Sequence, residues 1–396
     1  MEERIKNLID YCQGVLRKEN GKVLYERYLK DIQTITPMDL IHIENEQLKM
    51  GNKPEELLTV VDKLINVFYK YLKEFAMEAP TEGTFLYYLM EENKEFTEKL
   101  HTFKMVVKER EWDTYKEKTL VFLNEMMEYE EHLLKIENIL FPMLEKKKDR
   151  FNGMQIMWAL HDQVRKKLKK LHAHIEKDRL GTEEINMEMG LLYFQLFGLV
   201  QKQELILFPA AKETLSAEEF SDMHYQSREY GFPYIEKPKH FTKPEKEGKM
   251  NEDPTDNHQI LHLETGSLSM DQIKSMLDVL PLDMTLVDEK DQVVYFSRPK
   301  ERIFPRSPAI IGRNVRNCHP PQSVHVVEDI LEAFKNNEKE QASFWIQRNS
   351  QFILIQYVAL RDDEGKYAGT LEISQEVSQI RALEGERRLL QWMDEK

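Results

Sequence analysis

The sequence predicts a multidomain fold in which an all-α part is followed by a smaller α/β part. The phrase Glu137-Asn-Ile-Leu-Phe-Pro142 returns 67 residues later as Glu204-Leu-Ile-Leu-Phe-Pro209, each time at the end of a charged, helix-like stretch. A phrase repeated at a fixed offset indicates a duplicated supersecondary unit, here two helical hairpins that form a four-helix bundle. Beyond about residue 263 the apolar residues change from helical spacing to the alternation of strands.

Residues 1–78 predict a helical domain of their own. Thr36 followed by Pro37 offers an N-cap and a first helical position, and the stretch from Gly51 to Pro54 separates two further helices. Proline and glycine in the segment 79–83 break this pattern. A domain boundary is therefore expected there.

Residues 84–213 predict the four-helix bundle itself. Helical stretches are expected over roughly 84–109, 113–147, 153–178 and 183–213. The breaks between them are short, which favours antiparallel neighbours and an up-down-up-down arrangement.

Residues 214–262 predict a linker, because prolines and charged residues crowd its second half and leave little apolar surface to bury. An α/β domain is expected over 263–378. It begins with an amphipathic helix, has five strands and places one helix, 323–336, between the second strand and the third. Residues 379–396 predict a C-terminal helix.

The composition argues against several classes of protein. The formal net charge is −14, an acidic balance that disfavours nucleic acid as a partner. Two distant cysteines, Cys12 and Cys318, give no disulfide framework and no zinc pattern, which favours a reducing compartment. The N terminus lacks the apolar core of a signal peptide, and the longest apolar run, 191–200, is too short to span a bilayer. We therefore expect a cytoplasmic protein with no membrane or nucleic-acid partner.

Histidines and carboxylates on the predicted bundle make a metal site the first hypothesis. His101, His132 and His161 lie on three successive predicted helices, and Glu137 and Glu204 come from the second and the fourth. Imidazole and carboxylate ligands together suit non-haem iron, manganese or zinc. The ordinary alternative is that water or backbone groups satisfy each histidine, and the sequence leaves both interpretations open.

Helix geometry sets a condition on this site. His132 and Glu137 lie about 140° apart on a regular α-helix, too far round to face one ion. Both could face it if the helix contains a π-bulge. Pro142 favours such a distortion, because it lacks the amide hydrogen that would bond the carbonyl of Asn138. Position 136, which would share a face with His132, is isoleucine.

Several stretches carry a resemblance to a known family. Residues 137–145, Met157-Trp-Ala-Leu-His-Asp162 and Glu204-Leu-Ile-Leu-Phe-Pro209 resemble the hemerythrin-like, or HHE cation-binding, family. The whole chain is similar to bacterial proteins that join a small N-terminal helical domain of unknown function, a hemerythrin-like bundle and a C-terminal PAS domain. Residues 35–41 resemble the first module, and Ile311-Gly-Arg-Asn-Val-Arg-Asn-Cys-His-Pro-Pro-Gln-Ser323 resembles the third.

The resemblance implies a carboxylate-bridged di-iron site that binds dioxygen or senses oxygen, nitric oxide or iron. His132 and His161 match histidine ligands, and Glu137 and Glu204 match the glutamates that precede Leu-Phe-Pro. Tyr87 stands where the family has its first histidine, so either a phenolate ligand is expected there or the position is lost.

The chain also departs from the family pattern. The family has His-x-x-x-Glu in both halves, but Ile136 replaces the first glutamate, and Leu199 and Gln203 replace both residues in the second half. His101 shares a face with Tyr87 but lies about four turns away, so it cannot replace Tyr87 at the same depth. The chain therefore keeps only part of the ligand set.

For the α/β part the resemblance implies a PAS sensor fold, with a five-stranded antiparallel sheet beside a ligand pocket. Cys318 and His319 lie just before the predicted helix 323–336, where such pockets are often lined, and are the candidate cofactor-binding residues. His319 could ligate haem through its imidazole. The alternative to haem ligation is that His319 has a turn or capping role beside the prolines that follow it. The C-terminal helix could pair with a second subunit in a homodimer.

These features predict a sensor or regulator in which a non-haem iron site responds to oxygen, nitric oxide or redox state, and the PAS domain relays the signal to an unidentified protein partner. One alternative is an enzyme: a di-iron oxidase, a peroxidase or a nitric-oxide-consuming protein. The residues three before His132 and His161 are Tyr129 and Trp158, not the glutamate of the ferritin-like Glu-x-x-His pattern. A phosphohydrolase centred on His161-Asp162 and a metal-free scaffold are the remaining alternatives.

Overall fold

A computed structural model describes residues 2–75, 77–106, 108–109, 111–147, 151, 154–242, 260–300, 302–348 and 350–386. The chain divides into two compact units, and each has a hydrophobic core of its own. The first unit comprises Met1–Glu247, Ser307–Arg313 and Asn317–Val324, and the second comprises Gly248–Arg306, Asn314–Arg316 and His325–Lys396.

The first unit begins with helices α1 (Glu2–Leu16), α2 (Gly21–Ile32), α3 (Pro37–Lys49) and α4 (Pro54–Lys73). The predicted cap of α3 is confirmed: the Thr36 hydroxyl accepts from the Asp39 amide at 3.2 Å, and the Asp39 carboxylate accepts from the Thr36 amide at 2.9 Å. This reciprocal pair satisfies amide hydrogens that a helix start leaves without partners. Pro37 occupies the first helical position, where no amide hydrogen is needed.

The bundle follows, and its four predicted helices are confirmed with local breaks. They comprise α5 (Phe85–Val106), α6 (Trp112–Met127), α7 (Glu130–Lys135), α8 (Phe141–Glu145), α9 (Met154–Glu176), α10 (Thr182–Lys202) and α11 (Phe208–Thr214). Two five-residue π turns, Ile136–Leu140 and Gln203–Leu207, join α7 to α8 and α10 to α11.

The repeated phrase forms both π turns. The Phe141 amide donates to the carbonyl of Ile136, five residues back, and the Phe208 amide donates to that of Gln203. Pro142 and Pro209 follow directly, and neither can supply an amide hydrogen to restore α-helical bonding. The structure thus confirms the distortion that Pro142 predicts.

The N-terminal helices and the bundle, expected as separate domains, share one hydrophobic core. Leu8 and Phe68 belong to the same buried cluster as Phe85 and Leu196. An ion pair accompanies the apolar contacts, because Lys202, only 1% exposed, lies 2.7 Å from the Glu44 carboxylate on α3. The core therefore extends from α1 through the bundle.

The stretch 214–262, expected to be a linker, is ordered over much of its first half. It contains α12 (Ala217–Ser227), whose start is capped by Ser216. Beyond this helix the Tyr234 hydroxyl donates to the carbonyl of Glu125 at 2.6 Å. The structure departs from the predicted linker because aromatic residues such as Phe220 and Tyr230 bury enough surface to hold this stretch on the bundle.

The second unit begins with a hairpin, β1 (Ile260–Leu263) and β2 (Gly266–Ser269), that the sequence does not predict. The predicted helices and strands follow as α13 (Met270–Val279), β3 (Asp283–Asp288), β4 (Val293–Phe296), α14 (Val324–Lys335), β5 (Gln341–Arg348), β6 (Gln351–Arg361) and β7 (Tyr367–Glu376). The five strands form an antiparallel sheet in the order β4-β3-β7-β6-β5. Its core contains Phe334 of α14 and alternate residues of β6.

The C-terminal helix predicted over 379–396 is short where the structure describes it. Helix α15 covers Ser378–Arg381, and residues 387–396 lie outside the described residues. Within the described ranges, no helix has the length and apolar character needed to cross a membrane.

Candidate functional site

The bundle interior surrounds three of the predicted site residues with buried charges that the sequence hypotheses do not include. His132 and His161 are fully buried, and Glu137 is 3% exposed. Their partners form two groups, which we call the Glu137 cluster and the Glu92 cluster.

The Glu137 cluster consists of Glu130, Glu137, His161, Asp162 and Arg165. Glu137 lies on the first π turn, and His161 and Arg165 lie one turn apart on α9. Arg165 donates from Nη1 to Oε1 of Glu137 at 2.8 Å and from Nη2 to Oε2 at 2.9 Å. His161 Nδ1 donates to the same Oε1 at 2.7 Å. Both oxygens of this carboxylate therefore bind protein donors.

Electrostatics favour the charged form of this pair. Burial alone would raise the pKa of Glu137, but the Arg165 guanidinium and the His161 hydrogen bond hold it below its ordinary value of 4.5. Burial opposes the charge on Arg165 as well, yet the Glu137 and Glu130 carboxylates raise its pKa. A bidentate pair between an arginine and a carboxylate is among the strongest hydrogen-bonded contacts in proteins.

The Glu92 cluster consists of Glu92, His132 and Lys135. His132 Nδ1 lies 2.7 Å from one oxygen of Glu92, and Lys135 Nζ donates to the other oxygen. Lys135 also donates to the Gly231 carbonyl at 2.9 Å and lies 3.9 Å from the centre of the Phe232 ring. Burial lowers the pKa of both His132 and Lys135, and Glu92 offsets part of this change. Glu92 thus has a buried cation beside it.

Neutral polar groups extend the Glu92 cluster to the second π turn. The Oε1 atom of Gln203 lies 3.1 Å from His132 Nε2 and 2.9 Å from the Tyr129 hydroxyl. The Tyr129 ring stacks on His132 with a centroid distance of 4.4 Å. Burial raises the pKa of Tyr129 strongly, which keeps this hydroxyl protonated. The Glu92 cluster therefore joins α5, α7 and the second copy of the repeat.

The sequence hypotheses missed Glu92, Lys135, Arg165 and Gln203. Glu92 lies in the stretch Met90-Glu-Glu-Asn93, which follows the candidate Tyr87 by only a few residues and was a signal for it. Lys135 follows His132 by three residues and Arg165 follows His161 by four, so each shares the inward face of its histidine. In a highly charged sequence such residues resemble an ordinary solvated helix face.

The other three candidates have different surroundings. Glu204 is half-buried, and burial raises its pKa. The half-buried Tyr87 contacts the Tyr88 ring at a centroid distance of 5.3 Å. His101 is exposed and bonds the Tyr193 hydroxyl at 3.2 Å, about 13 Å along α5 from Glu92. In the described part of the chain, neither Tyr87 nor His101 hydrogen-bonds to either cluster.

Two family models match the chain. The Hemerythrin HHE cation binding domain matches residues 84–211, and the PAS domain matches residues 273–378. The chain joins a hemerythrin HHE domain to a PAS domain. This combination is that of a sensor or signalling protein.

Three solved structures similar to this chain cover between 27% and 33% of it. A C-terminal domain from Streptococcus mutans is 30% identical, with 33% of this chain and 100% of that chain covered and a TM-score of 0.31. A PAS domain from Colwellia psychrerythraea is 16% identical (28% and 97% covered, TM-score 0.23). A sensory box sensor histidine kinase from Vibrio cholerae is 12% identical (27% and 90% covered, TM-score 0.22). No curated protein matches the chain.

A hemerythrin HHE domain implies a cation such as iron, and the residues present do not fit an iron pair. Arg165 binds both oxygens of Glu137, and His132 and Lys135 bind those of Glu92. A metal ion at either buried carboxylate would meet the protein cation already bound there, and like charges repel strongly away from water. Among the described residues, no group of three or more His, Cys, Asp or Glu side chains could hold a metal ion.

The two candidates of the PAS domain lie outside the sheet unit. Cys318 ends a short 3-10 helix, Val315–Cys318, and both it and His319 are half-buried. The stretch Asn317–Val324 groups with the first unit, so haem binding at His319 gains no support from the sheet. The carbonyl of Pro320, the next residue, accepts from the Ser323 and Val324 amides at 2.9 and 3.1 Å, so a turn directly follows His319.

Proposed function

We propose that the protein is a signalling regulator whose hemerythrin-type bundle is held by buried ion pairs in place of an iron pair. The PAS domain supports a role in sensing or relaying a signal. The output then passes to a protein partner. The presence of only two cysteines, far apart in the sequence, favours the reducing cytoplasm as the place of action.

The contact between Arg165 and Glu137 carries this proposal. An HHE glutamate in a metal site gives its oxygens to the ion, whereas here a guanidinium takes both of them. Lys135, which is buried, supplies the second cation, beside Glu92. Each of these two buried carboxylates is neutralised by the chain itself, so these contacts need no metal to balance them.

One observation favours a second candidate function, a cation-dependent sensor of oxygen, nitric oxide or redox state. His161 donates through Nδ1 to Glu137, and its Nε2 atom is buried with no hydrogen-bond partner among the residues that the structure describes. A histidine with one ring nitrogen on a carboxylate and the other free has the arrangement of a metal-ligating imidazole.

Iron analysis separates the two candidates. The full chain would be purified without oxygen from iron-rich cells, and its iron content and optical spectrum measured before and after exposure to air. The ion-pair proposal expects far less than one iron per chain and no change in unfolding temperature when ferrous iron is added.

Variants assign any iron that is found. Stoichiometric iron that is lost in His161→Ala and kept in His101→Ala, a change at an exposed histidine, would support the cation-dependent sensor. Two irons per chain with a charge-transfer band would overturn the ion-pair proposal.

A further inference from the structure

The segment Ser307–Arg313, which we call the Arg313 segment, belongs to the first unit although its sequence lies inside the PAS match. It contains a 3-10 turn, Pro308–Ile310. The Oε1 atom of Gln226, on α12, accepts from the Ala309 amide at 3.0 Å and from the Ser307 hydroxyl. Gln226, Ser307 and Ala309 are all buried. The segment is therefore built into the helical unit through specific contacts.

Arg313 anchors the end of this segment. Its side chain is buried, with Nε 2.7 Å and Nη2 2.8 Å from the two oxygens of Glu145 on α8. The guanidinium also lies 5.3 Å from the centre of the Trp158 ring. Such a bidentate pair fixes both the position and the orientation of the arginine.

A third contact of Arg313 reaches the backbone of the first π turn. Its Nη1 atom donates to the carbonyl of Glu137 at 3.2 Å. In an α-helix this carbonyl would accept from Phe141, but the Phe141 amide bonds Ile136 instead. In a π-helix the donor would be residue 142, which is proline. Arg313 thus supplies the hydrogen bond that the π turn removes.

We propose that the Arg313 segment is a switch element that stabilises the π form of the first repeat and so couples the Glu137 cluster to the chain that enters the sheet unit. In the α form, the Phe141 amide would bond the Glu137 carbonyl and displace Arg313. The two halves of the helix would also rotate by about 100°, the angle of one residue, which would turn Glu137 relative to α8. Arg165 and Arg313 therefore favour the same helix form, one through the side chain of Glu137 and the other through its carbonyl.

The residues that directly follow Arg313 in the chain carry this coupling. The residue after Arg313 is Asn314, which belongs to the second unit and forms a β-bridge with Gln292. The next residue, Val315, donates to the carbonyl of Asp291 at 2.8 Å. Both bonds hold the turn that links β3 to β4. A change in the position of Arg313 is thus transmitted over one or two residues of backbone.

Hydrogen–deuterium exchange on the full chain tests this coupling in both directions. Thermodynamic coupling is reciprocal, so Glu137→Gln should speed exchange in the peptide 307–313, and Arg313→Met should speed exchange in the peptide 136–141. We expect an increase of about tenfold in each case, toward the lower end of the range typical of coupled sites. Arg313→Lys, which keeps a charge beside Glu145, should give a smaller increase and serves if Arg313→Met does not fold.

A matched control distinguishes coupling from general loosening. Leu196→Ala removes a buried side chain of α10 from the same core, and it should leave exchange in 307–313 within about twofold of the wild type once global stability is accounted for. Unchanged exchange in 307–313 in Glu137→Gln would overturn the proposal. So would an equal increase in Leu196→Ala. Neither outcome depends on iron content, so this proposal and the proposed function can fail separately.

Discussion

The two copies of the repeated phrase share a backbone and differ in charge. Both form a five-residue π turn that ends one residue before a phenylalanine and a proline. In the first copy Glu137 is buried and bound by Arg165 and His161, and its pKa is lowered. In the second copy Glu204 is half-buried and burial raises its pKa. The phrase therefore dictates the helix distortion, whereas residues on other helices dictate the state of the carboxylate.

The residues that precede the two glutamates also differ between the copies. His132 and Ile136 in the first copy correspond to Leu199 and Gln203 in the second. Gln203 does not bind its own glutamate in the described structure but accepts a hydrogen bond from Tyr129 and contacts His132. The second copy thus completes the Glu92 cluster of the first half.

Of the substitutions that test this difference between the copies, removal of Arg165 should cause the largest loss of stability. Arg165→Met leaves the Glu137 carboxylate buried without its cation, and we expect a loss of about 3–5 kcal/mol in the free energy of unfolding. Urea unfolding followed by circular dichroism measures this loss. The double variant Arg165→Met with Glu137→Gln should recover part of it, because position 137 then carries no buried charge. A loss below about 1 kcal/mol in the single variant would mean that the ion pair contributes no more than an exposed pair does.

Substitution of the two glutamates should change stability in opposite directions at neutral pH. Glu137→Gln should destabilise the protein at neutral pH by about 1–3 kcal/mol, since it removes a charged acceptor from a buried donor. Glu204→Gln should change stability by less than about 1 kcal/mol, in the stabilising direction. Urea unfolding at about pH 7 and about pH 4 measures both effects.

The direction of each pKa shift determines how the effect of each substitution on stability changes with pH. The pKa of Glu137 is lowered in the folded protein, so its contribution is complete above 4.5 and is lost as the pH falls below that value. The pKa of Glu204 is raised in the folded protein, so the charge on this carboxylate lowers the free energy of unfolding. This destabilisation begins as the pH rises through 4.5 and is complete above the raised pKa. Both substitution effects should therefore shrink in acid. Identical pH profiles for the two variants would contradict the difference between the copies.

Substitution of the two prolines should give the smallest effect. Pro142→Ala and Pro209→Ala each restore an amide hydrogen after a π turn, and each should change stability by about 1 kcal/mol or less. Only the new amide at position 142 competes with Arg313 for the carbonyl of Glu137. Hydrogen exchange should therefore speed up in 307–313 for Pro142→Ala alone. If Pro209→Ala gave the same increase in hydrogen exchange in 307–313, the contact of Arg313 with the first π turn would not explain the effect of Pro142→Ala.

Local features could be predicted from the sequence, and contacts between helices could not. The π distortion follows from Pro142 and its neighbours, and the capping of α3 follows from Thr36 and Pro37, since both depend on a few adjacent residues. The partner of His132 is Glu92, forty residues away on α5, and no local pattern identifies it. Periodicity also cannot show that Lys135 faces inward with a buried partner, because its apolar stem and charged head suit either environment.

The ion pair between Lys202 and Glu44 has a consequence for how this protein can be divided. Lys202 immediately precedes the second π turn, and its counter-charge is on α3, outside the hemerythrin HHE match of 84–211. An excised bundle would carry an unpaired lysine at a face that the N-terminal helices normally cover. The first seventy or so residues are thus expected to fold and unfold together with the bundle, as parts of one folding module.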